Sequence, residues 1–181
     1  TTKALIAKKD PAFKEHLNRA LTINKKNLDA QTLEAVYAPG EYLNQSIAML
    51  SKLVNTYPTY APATFATAQQ LEAGAELYKE VNRMKDYGAA MGQAFDFYTD
   101  TAKNDPRHIP ARIKVGQLLI AASLDTPDKK SALDKSQQAI IVLQQAVDMN
   151  PNRIESRMAF AKSLYDLRMA RPAEREAIFS R

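Results

Sequence analysis

The chain has 181 residues, 45% of them hydrophobic, and contains no Cys. It is long enough for one compact domain or a short solenoid and too apolar for disorder, and the missing thiol excludes disulfides, thiolate metal sites and cysteine nucleophiles. Twenty-five basic against 20 acidic residues leave a mild net charge of +5, and no run of about 18 uncharged apolar residues offers a membrane span.

Gly is scarce while Ala, Leu, Gln and Lys are abundant, which favours helix over sheet. Asp10-Pro11 reads as an N-cap with Pro at the first helical position, opening a helix to Ile23 with Phe13, Leu17 and Ala20 on its apolar face. Asn27 caps the next helix, which stops at Ala38-Pro39-Gly40. Glu41 to Asn55 forms its partner, with Leu43, Ile47, Leu50 and Leu53 on one stripe. Pro62 starts a long helix ending near Asp86, and Tyr87-Gly88 makes the turn. The return helix runs from Ala89 to Lys103 and buries Phe95 and Tyr98. Ile109 to Ser123 is followed by a break at Leu124 to Asp128, where Thr126 or Asp125 caps a helix that starts at Pro127 and reaches Met149. Arg153 to Met169 forms another helix, and Arg171-Pro172 opens a last one with Phe179 on its unmatched apolar face.

Four short segments are alike: INKKNLDA (Ile23 to Ala30), TYPTYAPA (Thr56 to Ala63), NDPRHIPA (Asn104 to Ala111) and MNPNRIES (Met149 to Ser156). Each ends one amphipathic helix and begins another. Pro58, Pro106 and Pro151 stand just past a helix end, where Pro cannot continue the ladder. The small residues Ala30, Ala63, Ala111 and Ser156 follow at separations of 33, 48 and 45 residues, periods that indicate stacked units.

With these segments the chain resembles the tetratricopeptide repeat family, whose unit is about 34 residues of two antiparallel helices. The best match follows Pro106: Ala111, Val115, Gly116 and Leu119 on the first helix, then Ala139, Leu143 and Ala146 on the second before Pro151. Gly116 sits where that family needs close helix approach. Ser156, Phe160, Ala161 and Leu164 repeat the first-helix pattern. In the second unit Thr67 replaces a large apolar residue, and in the first Glu34 falls on an expected core position.

The resemblance implies a single all-α domain over residues 1–181, a right-handed superhelical α-solenoid of about seven to nine helices in antiparallel hairpins. Its approximate units are 1–26 (partial), 27–58, 59–106, 107–151 and 152–181 (partial). The units closing at Pro106 and Pro151 exceed the family's length by about 14 and 11 residues, near four and three helical turns, so long hairpins are expected there. A start at Thr1-Thr2 without Met reads as a piece of a larger protein.

Candidate chemistry is sparse. His16 and His108 are the two imidazoles; His108 reads as a solvated or capping residue in a turn, His16 as helix surface. Asp96 with Asp100 and Glu76 with Glu80 are four apart on helix faces, an arrangement that reads as solvated charge because no Gly-centred loop or histidine joins it. Gly74, Gly88, Gly92 and Gly116 lie singly, without a phosphate-cradling pattern. Most of Met84, Met91, Phe95, Phe97, Tyr98, Met158, Phe160 and Tyr165 read as core by their helical spacing. The lysine pairs Lys25-Lys26 and Lys129-Lys130 read as surface and C-terminal helix caps.

No catalytic residue, metal site or cofactor is therefore expected, and the resemblance implies a protein-interaction scaffold. A partner peptide or helix would lie in a concave groove formed by the first helices. The corresponding positions are Phe65, Gln69 and Glu72, then Ile113, Gln117 and Ile120, then Met158, Lys162 and Tyr165. Phe65, Ile113 and Met158 stand where some family members place cations for a terminal carboxylate, so carboxylate capture is not expected. The resemblance also points to bacterial envelope assembly or secretion, with the periplasm or envelope favoured over the cytoplasm. Two alternatives stand beside this: nucleic-acid binding through Arg107, Arg112, Lys114, Arg153 and Arg157, and homo-oligomerisation through the long hairpins.

Overall fold

The computed structural model describes residues 12–37, 43–171 and 178. Among them all regular structure is helical, in eight helices: α1 (Ala12–Ile23), α2 (Leu28–Tyr37), α3 (Leu43–Thr56), α4 (Ala61–Glu80), α5 (Met84–Asn104), α6 (Ile109–Leu124), α7 (Lys129–Met149) and α8 (Ile154–Ala170). The Asp10-Pro11 cap, the Ala38-Pro39-Gly40 stop and, apart from Ile178, the helix expected from Pro172 to Phe179 lie outside the described residues.

The four similar segments fold into the same turn. The N–H of Asn27 donates to Asn24 O (3.0 Å), Tyr60 to Tyr57 O (3.1 Å), His108 to Asp105 O (2.9 Å) and Arg153 to Asn150 O (3.0 Å). Pro58, Pro106 and Pro151 occupy the second position of these turns, where a fixed φ is pre-set and no donor is needed. Asn24 and Asp105 reinforce the first position by accepting the N–H two residues on, at 2.9 and 3.0 Å. Three residues after each turn closes come Ala30, Ala63, Ala111 and Ser156, all buried in the first turn of their helices. Pro62 and Pro110 lie in that same first turn, where a missing donor breaks no bond.

Two helix boundaries differ from the expectation. The turn after α4 is at Val81 to Arg83, not at Tyr87-Gly88, which lie inside α5. Asn82 takes a left-handed backbone (φ 58°). Its N–H donates to Lys79 O (3.0 Å) and that of Arg83 to Tyr78 O (2.8 Å), the paired bonds of a Schellman ending, with Asn in the role usually given to Gly. The Arg83 guanidinium then lies 4.9 Å from the Tyr78 ring centroid and pairs with Asp86 at 2.8 Å. At the start of α7, Asp128 is the cap, its carboxylate accepting the Ser131 N–H at 2.7 Å. A carboxylate there also meets the positive helix end. Thr126, expected with Asp125 as the alternative cap, instead donates to Ala122 O (2.6 Å), and Pro127 lies outside the helix. Lys129 and Lys130 consequently open α7 rather than cap a C-terminus.

The helices group into two compact units, Thr1–Phe97 and Tyr98–Arg181. In the first, α2 packs on α3, α3 on α4, and α2 on α4. Buried Ala35, Leu50 and Ala66 form one core cluster, and Leu53, Val54 and Ala63 another. Tyr60, at the cap of α4, donates its hydroxyl to Asp29 of α2, tying the two first helices together. In the second unit α6 packs on α7, α7 on α8, and α6 on α8. Arg112 on α6 donates to Gln145 on α7 (2.9 Å). Arg171, just past α8, donates to Ser123 O at 2.6 Å and Thr126 O at 3.3 Å, covering carbonyls at the C-terminal end of α6 with a cation. Contact between alternate helices as well as consecutive ones is the packing of stacked hairpins.

Helix length also follows the sequence. The α4 and α5 helices have 20 and 21 residues. In the α6/α7 hairpin the extension falls on α7, with 21 residues against 16 in α6. Several buried hydroxyls are satisfied locally: Thr67 donates to Ala63 O (2.8 Å), Ser123 to Ile120 O (2.8 Å) and Ser136 to Ala132 O (2.9 Å), whereas the Ser46 hydroxyl on α3 has no partner among the described residues. Thr67 thus fills a core position while giving its polar atom a partner.

Gly116 lets α6 and α7 approach closely. A Cβ there would come within 2.4 Å of Leu143 Cγ, whereas no heavy atom lies within 4 Å of one built on Gly92. Overpacking a core costs about 1–3 kcal/mol, and the ~1 kcal/mol gained in helix propensity does not relieve an overlap on a fully buried leucine. Gly116→Ala is therefore expected to lower the urea midpoint, and Gly92→Ala to raise stability by about 0.5–1 kcal/mol. Opposite signs in the two unfolding curves are the checkable result.

Candidate protein-interaction surfaces

The candidate residues lie on first helices. In the first unit Phe65, Gln69 and Glu72 follow one another along α4; Gln69 is exposed, Phe65 and Glu72 half-buried. The opposite side of α4 is lined by buried Ala63, Thr67, Ala68 and Leu71, so the helix has one face for the core and one toward solvent.

In the second unit the candidates lie on α6 and α8, which pack against each other. Ile113 is half-buried and Gln117 exposed. Ile120 is only 4% exposed and sits in a core cluster with Ala139, Leu167 and Ile178, so it supports the surface from beneath. On α8, Met158 and Tyr165 are 66% and 62% exposed, and Lys162 pairs with Asp166 at 2.8 Å. Two residues that the family register does not mark belong to the same row, since Ile154 and Met169 are 68% and 64% exposed. Spacings of four, seven and four residues from Ile154 through Met158 and Tyr165 to Met169 put all of them on one stripe, a pattern legible in the sequence. Ala161 is also exposed, in contrast to buried Gly116 at the matching place in α6.

Several titratable residues have partners within the fold. His108 caps α6: its Nδ1 accepts the Ala111 N–H at 3.2 Å. It is half-buried rather than in open solvent, and burial lowers its pKa against the opposing pull of Asp105. Tyr60 is pushed well above the usual phenol range by burial and by its bond to the Asp29 carboxylate. Glu76 pairs with Lys79 at 4.0 Å and Asp100 with Lys103 at 3.4 Å, all solvent-accessible. His16 is exposed on α1. Among the described residues no group of three or more His, Asp or Glu is arranged to hold a metal ion.

The cations considered for nucleic acid are in part engaged within the protein. Arg112 donates to Pro106 O (3.0 Å) and Gln145, Arg153 pairs with Glu155 at 3.4 Å, and Lys114 lies 6.0 Å from the Tyr98 ring centroid. Among the described residues no helix is long and apolar enough to cross a membrane.

Repeated turns, a buried small residue in the first turn of each first helix, and contacts between alternate helices define a helical-repeat fold of the tetratricopeptide type. The same fold is present in the crystal structure of a thermophilic tetratricopeptide repeat protein from Thermus thermophilus. It is similar with a TM-score of 0.64 over 94% of this chain and 87% of that one, at 20% sequence identity. No family model matches the chain, and neither does any curated protein.

The His108 cap gives the fold a pH dependence. A histidine whose folded pKa lies below its unfolded value of about 6.5 binds fewer protons when folded. Its stabilising contribution is full above that value and falls as pH drops toward the folded pKa. Protonation also removes the lone pair that accepts the Ala111 N–H. The thermal midpoint is expected to decrease as pH drops below about 6.5, and His108→Asn, which keeps an acceptor at the cap, should flatten that part of the profile in thermal melts.

Proposed function

We propose that this chain is a non-catalytic scaffold that holds a peptide or helix of a partner protein on the solvent-facing sides of its first helices. The observation that carries this reading is the α8 row of Ile154, Met158, Tyr165 and Met169, four large apolar side chains each more than 60% exposed. Single exposed apolar residues are ordinary, but a contiguous row with polar neighbours marks a surface that binds. Exposed Lys162 on α8 and exposed Gln117 on the neighbouring α6 supply hydrogen-bonding groups, and Met and Tyr are favoured in such contacts because they adapt or present large area at low entropic cost.

A second patch on α4, with Phe65, Gln69 and Glu72, offers the same mixture of apolar and polar groups in the first unit. Apolar anchors at i, i+4 and i+11 suit an amphipathic helix or an extended segment. A role in bacterial envelope assembly or secretion is the biological setting we propose, and it rests on family resemblance.

The test is capture of partners from a bacterial extract on the immobilised chain, read by mass spectrometry. Met158→Glu with Tyr165→Glu should reduce specific capture by about tenfold or more while leaving the thermal midpoint in place, because both side chains are at the surface. Gln117→Ala with Lys162→Ala should weaken it less. Unchanged capture by both double variants removes this surface from the function.

A further inference from the structure

The four repeat-opening residues put the first helices in register, so positions can be compared across repeats. Four residues after Ala30, Ala63, Ala111 and Ser156 stand Glu34, Thr67, Val115 and Phe160. Thr67 and Val115 are buried and Phe160 is half-buried. In α2 the same position holds a half-buried carboxylate, which costs stability unless something pairs with it. No described residue forms an ion pair or hydrogen bond with the Glu34 side chain.

Glu34 lines an open cleft of about 990 Å³ between α1, α2 and α3. Leu21, Met49 and Tyr57 give it apolar walls, and Lys25 and Lys52 also line it. Both lysines are exposed, and neither has an ion-pair partner among the described residues. The cleft therefore offers one inset negative charge among apolar groups, together with two exposed positive ones.

We propose that this cleft is a second docking site, for an amphipathic helix of a partner protein that sets one arginine or lysine against Glu34. Apolar residues on either side of that cation would meet Leu21, Met49 and Tyr57, and acidic residues toward the helix ends would meet Lys25 and Lys52. Charge complementarity selects this occupant: a uniformly basic segment is repelled by the two lysines, and an acidic or wholly apolar one leaves the carboxylate desolvated without a partner. The site uses α1, α2 and α3 and shares no residue with the α4, α6 and α8 surfaces, so each can fail without the other.

Fluorescence anisotropy with two synthetic labelled peptides tests it. One carries a central arginine between leucines with glutamates at both ends; the other has glutamate at the centre and lysines at the ends. The chain should bind the first at least about tenfold more tightly. Glu34→Gln should remove most of that preference, and Glu34→Lys with Lys25→Glu and Lys52→Glu should reverse it, with circular dichroism melts confirming that each variant is folded. Should the triple variant not fold, Glu34→Gln alone decides. Equal binding of both peptides, no binding of either at about millimolar concentration, or full retention of the preference in folded Glu34→Gln each overturns the proposal. So does sedimentation showing that a second copy of the chain fills the cleft, as a self-association lost in Glu34→Gln.

Discussion

Close approach of neighbouring helices at small side chains governs this structure. Ala30, Ala63, Ala111 and Ser156 are buried in the first turn of their helices, each three residues after the closing bond of a tight turn. At those points the interior has no room for a larger group, because protein cores are packed to the density of organic crystals. The turn delivers the chain, the small residue lets the next helix come in, and large residues farther along, such as Leu50 and Leu143, fill the space between. Gly116 under Leu143 carries the same logic to its limit.

The consequence for function is a division of labour within each helix. One side of a first helix must face its neighbours through Ala, Gly, Ser and Thr, with hydroxyls satisfied by the preceding turn. That leaves the other side free to vary without disturbing the stack. On α8 the free side carries a row of exposed apolar residues, and on α4 it carries Phe65, Gln69 and Glu72. Under the proposed scaffold function, what such a surface binds is written in those free positions rather than in the residues that hold the stack.

Much of the architecture was legible in the residues. The recurring segments marked four turns between described helices, and Ala139, Leu143 and Ala146 on α7 are fully buried, as the repeat pattern implied. The lengths of α4 and α5, 20 and 21 residues, were foreshadowed by the extra residues between Pro58 and Pro106. The turn between them was not, because Tyr87-Gly88 carries the usual turn composition while Asn82 takes the left-handed conformation. A glycine in helical sequence is tolerated at a cost of about 1 kcal/mol, and the Schellman bonds and the Arg83 contact with Tyr78 held the ending upstream. Asp128 displaced Thr126 as a cap because its carboxylate reaches the Ser131 N–H. The surface was less legible than the core. Family register marked Ile120, which packing buries, and passed over Ile154 and Met169, which the helical stripe includes. Glu34 was visible as a misfit, but the cleft beside it depends on how three helices diverge, and local sequence does not specify that.

The most direct measurement is urea unfolding of Ala63→Leu, Ala111→Leu and Ser156→Leu beside Ala161→Leu. If small residues set the helix spacing, each of the first three loses about 1–3 kcal/mol, while Ala161→Leu, on the exposed side of α8, changes by less than about 0.5 kcal/mol. Equal tolerance of leucine at all four positions would contradict the account.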